Sequence, residues 1–147
     1  MTTRAAAPSN EDLGEQLLRV ARHLRRAWQV DLSEHDLSPH EARALRVVID
    51  REESPRLRDL ADALRIAPRS VTDVVDALEG KGYVQRQADP ADRRASVVVA
   101  TDEGRRVRAA VHAARRRSMG DRMGSLTAHQ RAALADALAA LDEVESC

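Results

Sequence analysis

Two short apolar stripes at helical spacing, standing three residues apart and followed at once by a valine-rich alternation, constrain this chain more than any other feature. Ser54-Pro55 breaks the chain, and Leu57, Leu60, Ala61 and Leu64 then mark a short amphipathic helix that ends around Arg65. Pro68 suits the first position of the next helix, because its missing N–H would have no partner there in any case. Val71, Val74, Val75 and Leu78 form the apolar stripe of that helix, and Gly80 and Gly82 end it. Tyr83 to Gln87 and Ala95 to Ala100 read as two short strands, separated by the turn-forming Asp89-Pro90-Ala91-Asp92. Two short helices joined by a tight turn and followed by a hairpin make a winged helix-turn-helix.

The flanks are helical. Residues 1–10 are small and polar, without periodicity, and read as a flexible arm. Structure begins near Asn10, and Leu13, Leu17, Val20, Ala21, Leu24, Trp28 and Leu32 keep a helical spacing for about five turns. Ser38-Pro39-His40-Glu41 is a helix start, with Ser38 as N-cap, Pro39 first in the helix and Glu41 completing a capping box; this helix should reach about Asp50. Thr101 caps a fifth helix through about Ser118. Thr127-Ala128-His129-Gln130 opens a sixth, with Leu134, Leu138, Leu141 and Val144 on one face. The expected fold is mainly α with a small β-hairpin wing. Residues 37–100 form the winged helix-turn-helix, and 11–36 and 101–147 form a helical region. The apolar faces of that region exceed what a small winged domain can cover, so they should pair with a second copy.

Composition removes several function classes. Lys+Arg and Asp+Glu both number 24, so any electrostatic attraction must be local. Trp28 and Tyr83 are the only aromatic residues, which leaves nothing for stacking rows of unpaired bases and makes the core aliphatic. No apolar run approaches the roughly 18 to 20 residues of a membrane span, and the first residues lack the apolar stretch of a signal peptide. The reading is cytoplasmic, with no membrane partner. The single cysteine is Cys147, the last residue, so no intrachain disulfide and no cysteine-based metal site can form. The histidines give no metal motif either. His112 has Arg108 and Arg116 as helical neighbours, His35 and His40 share a loop with Glu34 and Asp36, and His129 sits at a helix start. No cofactor is expected. No phosphate loop, metal motif or convergent acid–base set suggests an enzyme.

Several segments resemble, in order, the MarR family of bacterial transcription regulators, over about residues 11–145. They are Leu37-Ser38-Pro39-His40-Glu41-Ala42-Arg43-Ala44-Leu45, then Leu57-Arg58-Asp59-Leu60-Ala61-Asp62-Ala63-Leu64, then Val71 through Val84. Asp89-Pro90-Ala91-Asp92-Arg93-Arg94 is similar to the family's wing signature, and Thr101-Asp102-Glu103-Gly104 to the start of its fifth helix. The chain also departs from the pattern. Arg65 stands where the family usually has Gly, at a cost of roughly 1 kcal/mol if the turn is left-handed. Asp73 replaces a frequent base, and the reactive cysteine of peroxide-sensing members is missing from the first helix.

The resemblance implies double-stranded DNA as partner, a homodimer, and release by a small, often aromatic or anionic, effector. With the fourth helix's stripe inward, Arg69, Asp73, Asp76 and Gly80 face outward, beside Ser70 and Thr72. Pro68, Arg69, Ser70 and Thr72 lie at the end that enters a major groove, where Arg69 can pair with a guanine and Asp73 can accept from a cytosine amine. Ala67, at the N-cap, has no side-chain acceptor, so the first amides of this helix can serve a phosphate. Arg56, Arg58, Arg93 and Arg94 lie at element ends. By resemblance Arg94 is the wing-tip residue inserted into a minor groove, with Asp92 orienting it. The effector candidates are Arg19 and His23, one turn apart, and Trp28, for which core packing competes. Local charge near zero leaves an alternative, a helical protein-interaction module that has lost DNA binding.

Overall fold

The computed structural model describes residues 8–145. Cys147 and arm residues 1–7 lie outside the described residues, as does the side chain of Val144. The chain divides into two compact units, one up to Val111 and one from His112 onward.

In the first unit, α1 (Asn10–Ser33) starts on a capping box in which Ser9 and Asp12 bond each other's backbone amides. α2 (Pro39–Asp50) has the expected box: Glu41 N–H donates to Ser38 Oγ at 3.2 Å and Ser38 N–H to Glu41 Oε2 at 2.7 Å. α3 (Leu57–Leu64) and α4 (Pro68–Gly80) follow, three residues apart. β1 (Val84–Ala88) and β2 (Ser96–Ala100) pair antiparallel, with Arg86 opposite Val98. α5 (Asp102–Gly124) starts in this unit and continues into the second.

Leu32, Leu45, Leu60, Leu64, Leu78, Val71, Val75, Val84 and Val98 are fully buried in one aliphatic core, each contributing about 1.5–3 kcal/mol. Trp28 is half-buried against it.

Three helices end on a left-handed residue. α4 uses Gly82 (φ 75°), which lets Tyr83 N–H reach Leu78 O at 2.9 Å. α1 uses Asp36 (φ 52°) and α3 uses Arg65 (φ 54°), so the tight turn of the helix-turn-helix is left-handed without glycine, at roughly 1 kcal/mol.

β1 sits one residue later than expected, and β2 starts one residue later but ends at Ala100 as expected. Tyr83 is held in the α4 exit, Ala88 pairs with Ser96, and the Ala95 amide turns back to Asp92 O. α5 runs six residues past Ser118, because Met119 to Met123 hold no stronger breaker than Gly120. Its first turn lies directly on the α4 exit. Thr101 Oγ1 donates to Gly82 O at 2.6 Å and accepts from Gly104 N–H, and a Cβ on Gly104 would stand 2.0 Å from Tyr83 O.

In the second unit, α6 (Ala128–Glu145) starts on the expected box, Gln130 N–H to Thr127 Oγ1 at 3.2 Å and Thr127 N–H to Gln130 Oε1 at 2.9 Å. Arg131 closes the preceding turn by donating to Leu126 O.

Candidate nucleic-acid interface

α4 presents the expected faces. Val71, Val75 and Leu78 are buried and Val74 is half-buried, while Pro68, Arg69, Ser70, Asp73 and Asp76 are exposed. Thr72 is half-buried, and its hydroxyl donates to Pro68 O at 3.3 Å, back onto its own helix. Ala67 leaves the first turn without a side-chain cap. The open amides and the helix dipole make this end a positively polarised spot.

The wing is built around Asp89. This buried carboxylate accepts the Ala91 amide at 2.8 Å and the Arg56 guanidinium, with Nε at 2.7 Å. The Ala91 amide, and after it Arg56, hold the carboxyl below the usual carboxylate range, and Asp89 in turn raises Arg56. Arg56 also belongs to a short third edge, where Pro55 O accepts the Val98 amide and Arg56 bridges Val97. Its side chain therefore braces the wing from within. Asp92 takes the Arg94 amide at 3.0 Å, so it orients Arg94 through the backbone. Arg93 and Arg94 are exposed at the tip, and Arg58 is exposed on the first turn of α3.

From Ser54 to Ala100 the chain has eight bases and seven acids, a balance that hides how the charges are spent. Arg56 is held by Asp89, and Arg86 by Asp76 and Glu79, which ties β1 to α4. Lys81, at the α4 exit, donates to Asp36 O at 2.5 Å and to both Glu41 oxygens at 3.0 Å. Asp59 accepts the Arg56 amide. Three bases are paired within the chain, and Asp59, Asp76, Glu79, Asp89 and Asp92 are engaged as acceptors by its own side chains or backbone amides. Arg65, Arg69, Arg93 and Arg94 are left exposed, as is Arg58 although it lies 3.7 Å from Asp59, against Asp62 and Asp73 as acids whose side chains make no hydrogen bond or ion pair among the described residues. The side chains left without an internal partner are thus mainly arginines although the segment is nearly neutral. The Lys81 and Arg86 pairings were missed from sequence. A signal existed for Arg86 only, since its partner Glu79 is seven residues away and Glu41 is forty from Lys81.

Arg19 and His23 lie one turn apart on α1, but Trp28 is not brought to them. Arg19 and His23 are exposed, whereas Trp28 lies half a helical turn round and roughly 14 Å along from Arg19, against the core. A groove of about 590 Å³ between residues 53–59 and the wing strands is lined by Arg56, Arg58, Gln87 and Asp89 and contains none of the three. Among the described residues, no cluster of three or more His, Cys, Asp or Glu could hold a metal ion, and no helix is long and apolar enough to cross a membrane.

A helix-turn-helix with a basic recognition end and a braced, arginine-tipped wing defines a winged-helix protein of the DNA-binding kind. Residues 37–96 match the sequence profile of the MarR family. The HTH-type transcriptional regulator MhqR of Bacillus subtilis is 32% identical over 88 residues, a stretch spanning 60% of each chain. CouR from Rhodococcus jostii, solved bound to p-coumaroyl-CoA, is 28% identical with a TM-score of 0.65 over 93% of this chain and 95% of its own. A Staphylococcus aureus MepR variant, solved bound to an oligodeoxyribonucleotide, shares the fold at 15% identity, with a TM-score of 0.75 over 90% of this chain and 96% of its own. Residues 37–96 thus carry the MarR-family segment of transcription regulators, and the chain as a whole shares the fold of their solved structures.

Proposed function

We propose that this chain binds a pseudo-palindromic DNA operator as a homodimer, represses transcription there, and is released by a small anionic or aromatic ligand. The observation that carries the DNA part is the division of charge: most acids and three bases are engaged by groups of the chain itself, while five arginines, on α3, the turn, the α4 start and the wing tip, stay exposed. In this reading the start of α4 enters the major groove, with Arg69 on a guanine edge and Asp73 on a cytosine amine. A phosphate sits on the uncapped amides after Ala67, and Arg94 enters the minor groove from a tip held by Asp89 and Asp92.

Two copies are supported by Leu13, Leu17, Val20, Leu134, Leu138 and Leu141, which stay 37–53% exposed. The dimer would space two α4 helices for half-sites roughly 34–36 Å apart. Release needs a ligand that favours one spacing, and a tenfold loss of DNA affinity corresponds to about 1.4 kcal/mol of coupling. CouR's p-coumaroyl-CoA is an anionic aromatic thioester, the chemical class that the exposed Arg19 and His23 would suit. The setting is the cytoplasm and the activity is occlusion of DNA, without catalysis.

A gel-shift titration on the promoter of its own gene tests the reading. The parent should give one dimeric complex. Arg69→Ala should lose about 1–3 kcal/mol and relax preference at one base pair, and Arg94→Ala should lower the salt slope by about one unit per protomer. Parent-like binding by both variants across a salt series removes the assignment of helix and wing. A folded parent that binds no duplex favours the protein-interaction module instead.

A further inference from the structure

Among the described residues, two other than glycine hold a left-handed backbone, Asp36 and Arg65, and they differ in what offsets it. Asp36 is offset from within, because its carbonyl accepts the Lys81 ammonium at 2.5 Å, with the carboxylate 3.7 Å from the same nitrogen. Arg65 has no such return. Its own amide bonds Asp62 O and the next amide bonds Ala61 O, which close α3 for any residue placed there. Its side chain is exposed and makes no hydrogen bond or ion pair among the described residues. A long cation is therefore kept in a conformation that glycine or asparagine adopts at less cost, and nothing inside the chain offsets it.

The surroundings of Arg65 are those of an anion site. Ala67, two residues on, leaves the first amides of α4 without a side-chain cap, and the exposed Arg69 follows. No acid stands between Asp62 and Asp73, so the turn and the α4 start carry only positive charge. We infer that Arg65 is a backbone-phosphate contact of the bound DNA, standing beside the helix end that reads the bases. The inference rests on the proposed DNA binding and adds to it a residue that carries affinity without sequence preference. The strained turn is then maintained for binding rather than for folding.

The test compares the full-length parent with Arg65→Asn, Arg65→Gly and Arg65→Lys, on operator duplex and on a scrambled duplex, across a salt series. Asn and Gly tolerate the left-handed turn without the charge, and Lys keeps the charge with the strain. The Asn and Gly variants are expected to bind both duplexes about three- to tenfold more weakly, with the salt slope reduced by about one unit per protomer, while Lys stays within about twofold of the parent. The melting temperature of Arg65→Asn should equal or exceed the parent's, which separates lost contact from lost fold. Unchanged affinity and slope in the Asn variant, a loss confined to operator DNA, or a lowered melting temperature would each overturn the assignment while leaving the DNA-binding reading in place. A parent that binds neither duplex overturns that reading, and the inference with it.

Discussion

Leu45, Leu60 and Leu78 in the winged helix are wholly removed from water, whereas Leu13 and Leu17 near the start of α1, and Leu138 and Leu141 of α6, remain about half exposed. All seven are the same residue in stripes of the same helical period. The winged helix also spends most of its charges on itself, with Arg56, Lys81 and Arg86 each seated on a carboxylate of another element. The terminal helices hold their shape by local devices, the boxes at Ser9 and Thr127. Periodicity therefore reports that a face is apolar and is silent on what covers it. One region carries its own partners, and the terminal helices each leave apolar residues exposed.

The largest expected effect contrasts two leucines. Leu60→Ala should cost about 2–5 kcal/mol in urea unfolding, since it opens a cavity in a closed core. Leu138→Glu should leave the fold within about 0.5 kcal/mol and instead turn a dimer into a monomer in sedimentation velocity. Equal losses of stability from both would erase the distinction between the regions.

Glycines sharpen it with opposite signs. Gly104→Ala has no room above the Tyr83 carbonyl and should cost about 1–3 kcal/mol. Gly120→Ala, in the same helix with nothing within 4 Å of the new methyl, should raise stability by about 0.5–1 kcal/mol. Thermal unfolding of the two variants side by side decides the matter.

The smallest effect concerns acid. Asp89 has its folded pKa depressed, so its contribution is fully present above the unfolded carboxylate value of about 3.9 and is lost as pH falls through the lower folded value. Asp89→Asn should therefore lose stability at neutral pH and show a flatter decline than the parent below about pH 4. A parallel decline in melting temperature from pH 6 to pH 3 would show that the carboxylate does not organise the wing.

Much of this molecule was legible along the chain. The boxes at Ser38 and Thr127, the proline at the start of α4 and the outward set of Arg69, Ser70 and Asp73 depend on residues three or four apart, which helix geometry brings together whatever the rest of the chain does. Both ends of β1 and the start of β2 slipped by one residue, and α5 ran on to Gly124, because the ends of regular elements depend on competing hydrogen bonds such as that of the Ala95 amide.

Other features needed the fold. A formal charge says nothing of where its partner will be, and Arg56 meets Asp89 across 33 residues while Lys81 meets Glu41 across 40. Sequence therefore placed Arg56 among the DNA-facing arginines, and tertiary structure assigned its guanidinium to the wing. The same holds for Gly104, whose necessity arises from the carbonyl of Tyr83 packed against it. Local spacing determined the helices, the hairpin and the reading face, because those interactions are short-ranged along the backbone. Tertiary structure decided which charges are spent inward and which remain outward, because that depends on distances in space that no spacing along the chain encodes.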